Sequence, residues 1–131
     1  MKKAKGIDGK LDEAWSKLVK LEWGEKCAYC GKGREQCQLH SHHIFSRSAK
    51  STRWDTVNGI CLCASHHVLN TSFSAHKTPT EFTYWLENLK GREWIEDLNK
   101  RNKTLKKWTK WEKEELLEEL KDRIDELKTG H

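Results

Sequence analysis

The stretch SHHIFSRSAKSTRWDTVNGICLCASHH, from Ser41 to His67, opens and closes on paired histidines and carries two cysteines just inside the second pair. Thiolates and imidazoles are the side chains that hold zinc and the first-row transition metals, and imidazole also moves protons near neutral pH. Upstream, CAYC supplies Cys27 and Cys30 with two residues between them. That step lets both thiolates reach one ion from a tight knuckle. CASH supplies Cys63 and His66 at the same step. Together they make a Cys₃His set, which suits tetrahedral zinc. Reduced cysteines packed in a core are the competing reading. Cys61 could replace Cys63, because residues two apart share a strand face, but Cys63 with His66 repeats the knuckle step. Cys37 has no partner at a ligand spacing and is left free.

With His66 given to zinc, His42, His43 and His67 remain. The ordered set Cys27-x-x-Cys30, His42-His43-Ile44, Asn58, Leu62-Cys63 and His66-His67 resembles the HNH endonucleases, the ββα-metal nucleases. The steps of 15 residues from His43 to Asn58 and 9 from Asn58 to His67 are similar to the spacing common in that family. The resemblance covers about residues 23–72, and the compact chain with helical flanks also resembles the small bacteriophage members.

The resemblance implies a division of labour. His43 is the general base that takes a proton from water, and His42 and His67 hold a catalytic divalent cation. Asn58 braces the loop between two strands and so fixes His43. Arg47 and Arg53 lie in that loop and either bind DNA phosphates or are exposed loop charges. The cation is manganese or magnesium, with nickel or cobalt as alternatives. His42 stands where many relatives carry Asp, which on ligand type favours manganese, nickel or cobalt over magnesium. Thr71 stands where some relatives add a third histidine, so two protein ligands plus water and substrate oxygens are expected. His40 shares the strand face of His42 and is expected to pack or to lie at the surface, with assistance to the metal site as the alternative. His76 is read as a loop residue and Trp54 as packing, with a stacking platform for bases as the alternative for Trp54.

These groups need positioning elements. Leu11, Trp15, Leu18 and Leu21 recur at helical spacing, and Gly24 can end that helix in a left-handed turn. Residues 25–72 show no long helical period. TPTE reads as a helix start, with Thr78 as cap, Pro79 at the first position and Glu81 closing a capping box. Phe82, Trp85, Leu86 and Leu89 then form one face, and a short helix follows with Trp94, Ile95 and Leu98 inward. A last helix begins near Thr109, with Glu112 three residues on. Its seam of Leu117, Leu120, Ile124 and Leu127 is expected to dock on the body, with dimerisation through this helix as the alternative. The expected fold class is α+β: a small ββα-metal HNH core with a structural zinc, flanked by N- and C-terminal helices. The chain reads as a single domain over 1–131, with the core at about 23–72 and helical flanks at about 9–22 and 79–128.

Hydrophobic residues make up 35% and charged residues 34% of the 131 positions. A small core of this kind usually needs a staple, which metal binding supplies. Seven tryptophans argue against disorder. The five cysteines are an odd number. No secretory leader is read at the N-terminus and no stretch approaches the ~20 apolar residues that span a bilayer. A monomer in the cytoplasm, with no membrane partner, is therefore expected. The net charge of +5 divides into −4 over residues 112–131 and +9 over residues 1–111. A basic body suggests an anionic partner, and DNA contacted through its phosphates is the usual one. The basic run from Lys100 to Lys110, interleaved with Trp108, either follows phosphates or is a solvated face.

The function expected from these residues is a metal-dependent HNH endonuclease. It would hydrolyse DNA phosphodiester bonds to 5′-phosphate and 3′-hydroxyl ends, by nicking or by cutting both strands. The rival is a zinc-stapled DNA-binding accessory module of phage packaging or recombination that does not cut.

Overall fold

The computed structural model describes residues 6–129. Lys2, Lys3 and Lys5, part of the basic charge of the body, lie outside the described residues. Helix α1 (Ile7–Glu22) follows the apolar period and buries Leu11, Ala14, Trp15, Leu18 and Val19. It ends where Gly24 (φ 70°) and Glu25 (φ 55°) turn left-handed. The Glu25 N–H then donates to the Lys20 carbonyl at 2.8 Å, which satisfies one of the carbonyls a helix end leaves open.

Strands β1 (Leu39–His43) and β2 (Gly59–Cys63) pair antiparallel, with His40 opposite Leu62, His42 opposite Ile60 and His43 opposite Gly59. The architecture is mixed α+β, with this two-stranded sheet and four helices among the described residues. Every residue of β2 is buried, so its GICLC run is apolar throughout and not alternating. Side chains of β1 alternate. Ser41 and His43 face α1, where the Ser41 hydroxyl donates to the Ser16 carbonyl at 2.6 Å. His40 and His42 face the opposite side. A 3₁₀ turn (Thr56–Asn58) leads into β2, and a single π-helical turn (Ser65–Leu69) leads out of it.

That turn departs from the expected ββα arrangement. After five residues the Asn70 side-chain oxygen accepts from the Ser72 and Phe73 N–H groups, at 2.7 and 3.0 Å. This side-chain turn redirects the chain before a longer helix can form. The next helices, α2 (Pro79–Lys90) and α3 (Arg92–Lys103), bury Phe82, Leu86 and Leu98. Phe82 and Leu86 join Ile60 and Leu62 in one apolar cluster, while Leu89, expected on the same face, is 48% exposed. Pro79 opens α2 as expected, but Thr78 makes no side-chain cap. Its hydroxyl instead bonds back to Ser74, donating to the carbonyl and accepting from the N–H.

Helix α4 (Lys110–Thr129) opens with the expected capping box. Thr109 N–H donates to the Glu112 carboxylate at 3.0 Å, and Glu112 N–H donates to the Thr109 hydroxyl at 3.1 Å. Its Leu117, Leu120 and Ile124 pack with Leu11, Trp15 and Leu18 of α1 and with Trp54. The apolar seam of α4 is thus used within the chain. No described helix is long and apolar enough to cross a membrane.

Candidate functional site

Two groups of metal-capable side chains converge among the described residues, and both lie around the hairpin. The first is Cys27, Cys30, Cys63 and His66, whose ligand atoms all lie within 4.8 Å of one another. A tight turn builds the first half: Gly31 (φ 77°) reverses the chain, and Gly31 N–H donates to the Cys27 carbonyl at 2.8 Å. The end of β2 and the π-helical turn supply the second half. Cys30 and Cys63 sulfurs stand 3.9 Å apart, and His66 Nδ1 is 3.2 Å from Cys63 Sγ and 3.9 Å from Cys27 Sγ. Thiolates on one tetrahedral zinc stand about 3.8 Å apart, and a thiolate and an imidazole about 3.5 Å, so the donors fit such an ion.

Burial and backbone hydrogen bonds act differently on the thiols of this group. Burial pushes the Cys63 thiol up to about 12, and the neighbouring Cys27 adds to that. Burial opposes ionisation of Cys27 too, but backbone hydrogen bonds from the knuckle hold its pKa below the ordinary thiol value. An ion among these sulfurs would favour deprotonation of all three. Cys61 is buried outside the group, opposite Ser41. Cys37 is also outside it and donates to the Gly33 carbonyl at 3.3 Å.

The second group is His42, His67 and His76. His67 Nε2 stands 3.1 Å from His42 Nδ1 and 3.1 Å from His76 Nε2. Nitrogens bound to one ion at about 2.1 Å stand about 3.0 Å apart at a right angle and about 3.4 Å at the tetrahedral angle. His42 and His67 were the expected pair; His76 is an addition. It does lie in a loop, but that loop folds back over the π-helical turn, with His76 N–H donating to the His67 carbonyl at 3.0 Å. Thr71 is exposed and outside the group. Burial, then the charges of His67, His76 and His43, lowers His42 to about 3. Burial, then His76 and His40, lowers His67 to about 4. Both rings are therefore neutral at pH 7, with lone pairs to offer.

His43 sits on the other face of β1. Its ring lies flat on Trp15, centroids 3.7 Å apart and planes at 7°. Trp15 is itself pinned, its indole N–H donating to the Asp55 carbonyl at 2.9 Å. His43 Nε2 donates to the Arg53 carbonyl at 2.8 Å. That bond puts the proton on Nε2 and leaves the Nδ1 lone pair free. Burial lowers the His43 pKa, aided by Arg47 and Arg53, against the opposing pull of the Arg53 carbonyl and Asp12.

No protein-family model matches this chain, and no curated protein or solved structure was found similar to it.

Asn58 is fully buried and spans the loop between the strands. Its side-chain oxygen accepts from Phe45 N–H at 2.7 Å, and its amide donates to the carbonyls of Phe45 and Thr52 at 3.0 and 3.1 Å. Three bonds from one side chain hold Phe45 and Thr52, the latter next to Arg53, whose carbonyl is the His43 acceptor. Arg53 has a partner the sequence did not disclose: its guanidinium forms a two-pronged pair with Asp12 of α1, at 3.0 and 2.7 Å. Asp12 also accepts from the buried Trp54 indole at 2.8 Å. Burial opposes ionisation of Asp12, but those bonds and the charges of Arg53 and Arg47 outweigh it and hold the carboxyl below its usual range. Arg47 remains exposed on the loop. In the later basic run, Arg101 pairs with Asp55 and Asp97, and Lys106 pairs with Glu112.

The site therefore offers a four-donor group suited to zinc. Beside it is a cluster of three imidazoles suited to a borderline divalent ion. Across the strand, a third kind of imidazole is oriented to accept a proton.

Proposed function

We propose that the chain is a zinc-stapled, metal-dependent endonuclease of the HNH type that hydrolyses DNA. The observation that carries this reading is the pairing of His43, whose Nδ1 is kept free by the Nε2–H bond to Arg53, with a three-imidazole group that includes its strand neighbour His42 on the other face of β1. A protein that only bound DNA would have no chemical use for an oriented proton acceptor beside a second metal-capable group. A divalent cation held by His42, His67 and His76 would polarise a non-bridging phosphate oxygen and stabilise the 3′ oxygen as it leaves.

The chain's own residues do the rest. His43 Nδ1 takes one proton from a water molecule, and the resulting hydroxyl oxygen bonds to phosphorus. The bond from phosphorus to the 3′ oxygen breaks, and that oxygen takes up a proton from solvent. The products are a 5′-phosphate and a 3′-hydroxyl. Trp15 stacking and the Asn58 bonds keep the imidazole from rotating as its charge changes. Arg47 is exposed on the loop for a phosphate, whereas Arg53 contributes mainly by holding the loop on Asp12. The net +9 over residues 1–111 supports DNA as the anionic partner.

The test is conversion of supercoiled plasmid by the zinc-loaded protein with manganese, with and without EDTA. Cleavage should need the added cation and should fall by about 10²–10⁴-fold in His43→Ala, the usual contribution of a general base. Circular dichroism and zinc content of that variant should match wild type. Shifted plasmid mobility without cleavage under every cation would favour the binding-module reading.

A further inference from the structure

The sequence favours a packing or surface role for His40 over assistance to His42. It stands two residues before His42 on the same face of β1, opposite Leu62, and its Nδ1 lies 2.8 Å from Nδ1 of His67. The two rings meet nearly edge to face, at 78°. Two ring nitrogens this close share one proton. The other nitrogen of His67, Nε2, points to His42 and His76 at 3.1 Å each. The two nitrogens of an imidazole diverge, so His40 cannot join an ion bound at His67 Nε2. It touches the opposite end of the ring.

We propose that His40 is a positioning residue that fixes the tautomer and angle of His67 and so sets the cation affinity of the three-histidine group. The inference rests on the reading of His42, His67 and His76 as a metal site. With His40 Nδ1 accepting, His67 carries its proton on Nδ1 and presents a bare lone pair at Nε2. Metal-bound histidines commonly donate their other ring N–H to an oxygen acceptor, and loss of such a partner weakens metal binding by about 10- to 100-fold. Here a second imidazole fills that role. Without His40, the His67 ring is free to place its proton on Nε2, where it would face two other imidazoles and bind no ion.

The experiment compares His40→Phe, which keeps an aromatic ring but has no acceptor, with His40→Asn, whose side-chain oxygen can accept near the position of Nδ1. Manganese binding to the zinc-loaded full chain is followed by calorimetry and by loss of the free-ion electron paramagnetic resonance signal. The His67 tautomer in the manganese-free protein is read from its ¹⁵N shifts. His40→Phe should bind manganese about 10- to 100-fold more weakly, with zinc content and circular dichroism unchanged and the Nδ1–H tautomer of His67 depleted. His40→Asn should recover most of the affinity. Equal affinity in wild type and His40→Phe would overturn the role of His40, as would His40→Asn behaving like His40→Phe. Wild-type protein that binds no manganese would instead overturn the metal-site reading itself.

Discussion

At Gly59 the sheet packs directly on Trp15 and Val19 of α1, and its replacement gives a sharp test of how the platform under His43 is built. Gly59 lies in extended backbone (φ −123°, ψ 144°) that any residue can adopt, so space and not conformation demands glycine. A Cβ there would overlap Val19 Cγ2 outright and would meet Trp15 Cζ2 at 2.8 Å. The closest ordinary contact is 3.4 Å, so Trp15 would have to retreat by about 0.6 Å. It cannot do so freely, because its indole N–H is held by Asp55 and its face by His43. Overpacking of this kind costs about 1–3 kcal/mol. At 2 kcal/mol and an m-value of about 2 kcal/mol/M, Gly59→Ala should lower the urea midpoint of the zinc-loaded protein by about 1 M. Val19→Ala removes both clashing methyls, so the double variant should be less destabilised than the sum of the singles, by about 0.5–3 kcal/mol. In the single variant the His43 ring protons, shielded by the stacked indole, should move downfield. An unchanged midpoint, or strict additivity with Val19→Ala, would refute the steric account.

Two further outcomes follow from the knuckles and from Asp12. The purified protein should carry one zinc per chain; Cys27→Ser and Cys63→Ser should lose native near-ultraviolet circular dichroism, while Cys37→Ser should keep it, and a folded, zinc-free wild type would refute the assignment. Asp12 has a lowered pKa in the folded chain, so its contribution to stability is fully present above the ordinary aspartate value of 3.8 and is lost only as pH falls through the lower folded value. The stability gap between wild type and Asp12→Asn should therefore be the same at pH 7 and pH 5, and a gap that closes over that interval would show that the carboxyl is not held low.

The helices were legible because burial follows a 3.6-residue period, and α1, α2, α3 and α4 all sit where Trp15, Phe82, Leu98 and Leu120 imply. The Cys₃His group was legible because each half is a local two-residue step. His76 was not, since its approach to His67 depends on the Asn70 and Ser74 turns, whose geometry leaves no periodic trace. Arg53 looked like a free loop cation because its partner Asp12 lies 41 residues away on another element. Trp15 was read as core, and it is buried, but a core period cannot reveal that its exposed-looking neighbour would be an imidazole. Adjacent His42 and His43 could be assigned to opposite strand faces, yet what lies under each face is a tertiary fact.

The clasp between α1 and α4 has a consequence for the growing polypeptide. All residues of both metal groups, Cys27 through His76, are translated before any of α4. Until α4 arrives, Leu11, Trp15 and Leu18 lack the Leu117, Leu120 and Ile124 cover that completes their cluster, and chains tend to organise in the order they are made. A chain that stops before Lys110 has all the residues of both metal-capable groups but lacks the α4 cover on the helix beneath His43. Full packing of the helix beneath His43 therefore waits on α4, the last described element to be made.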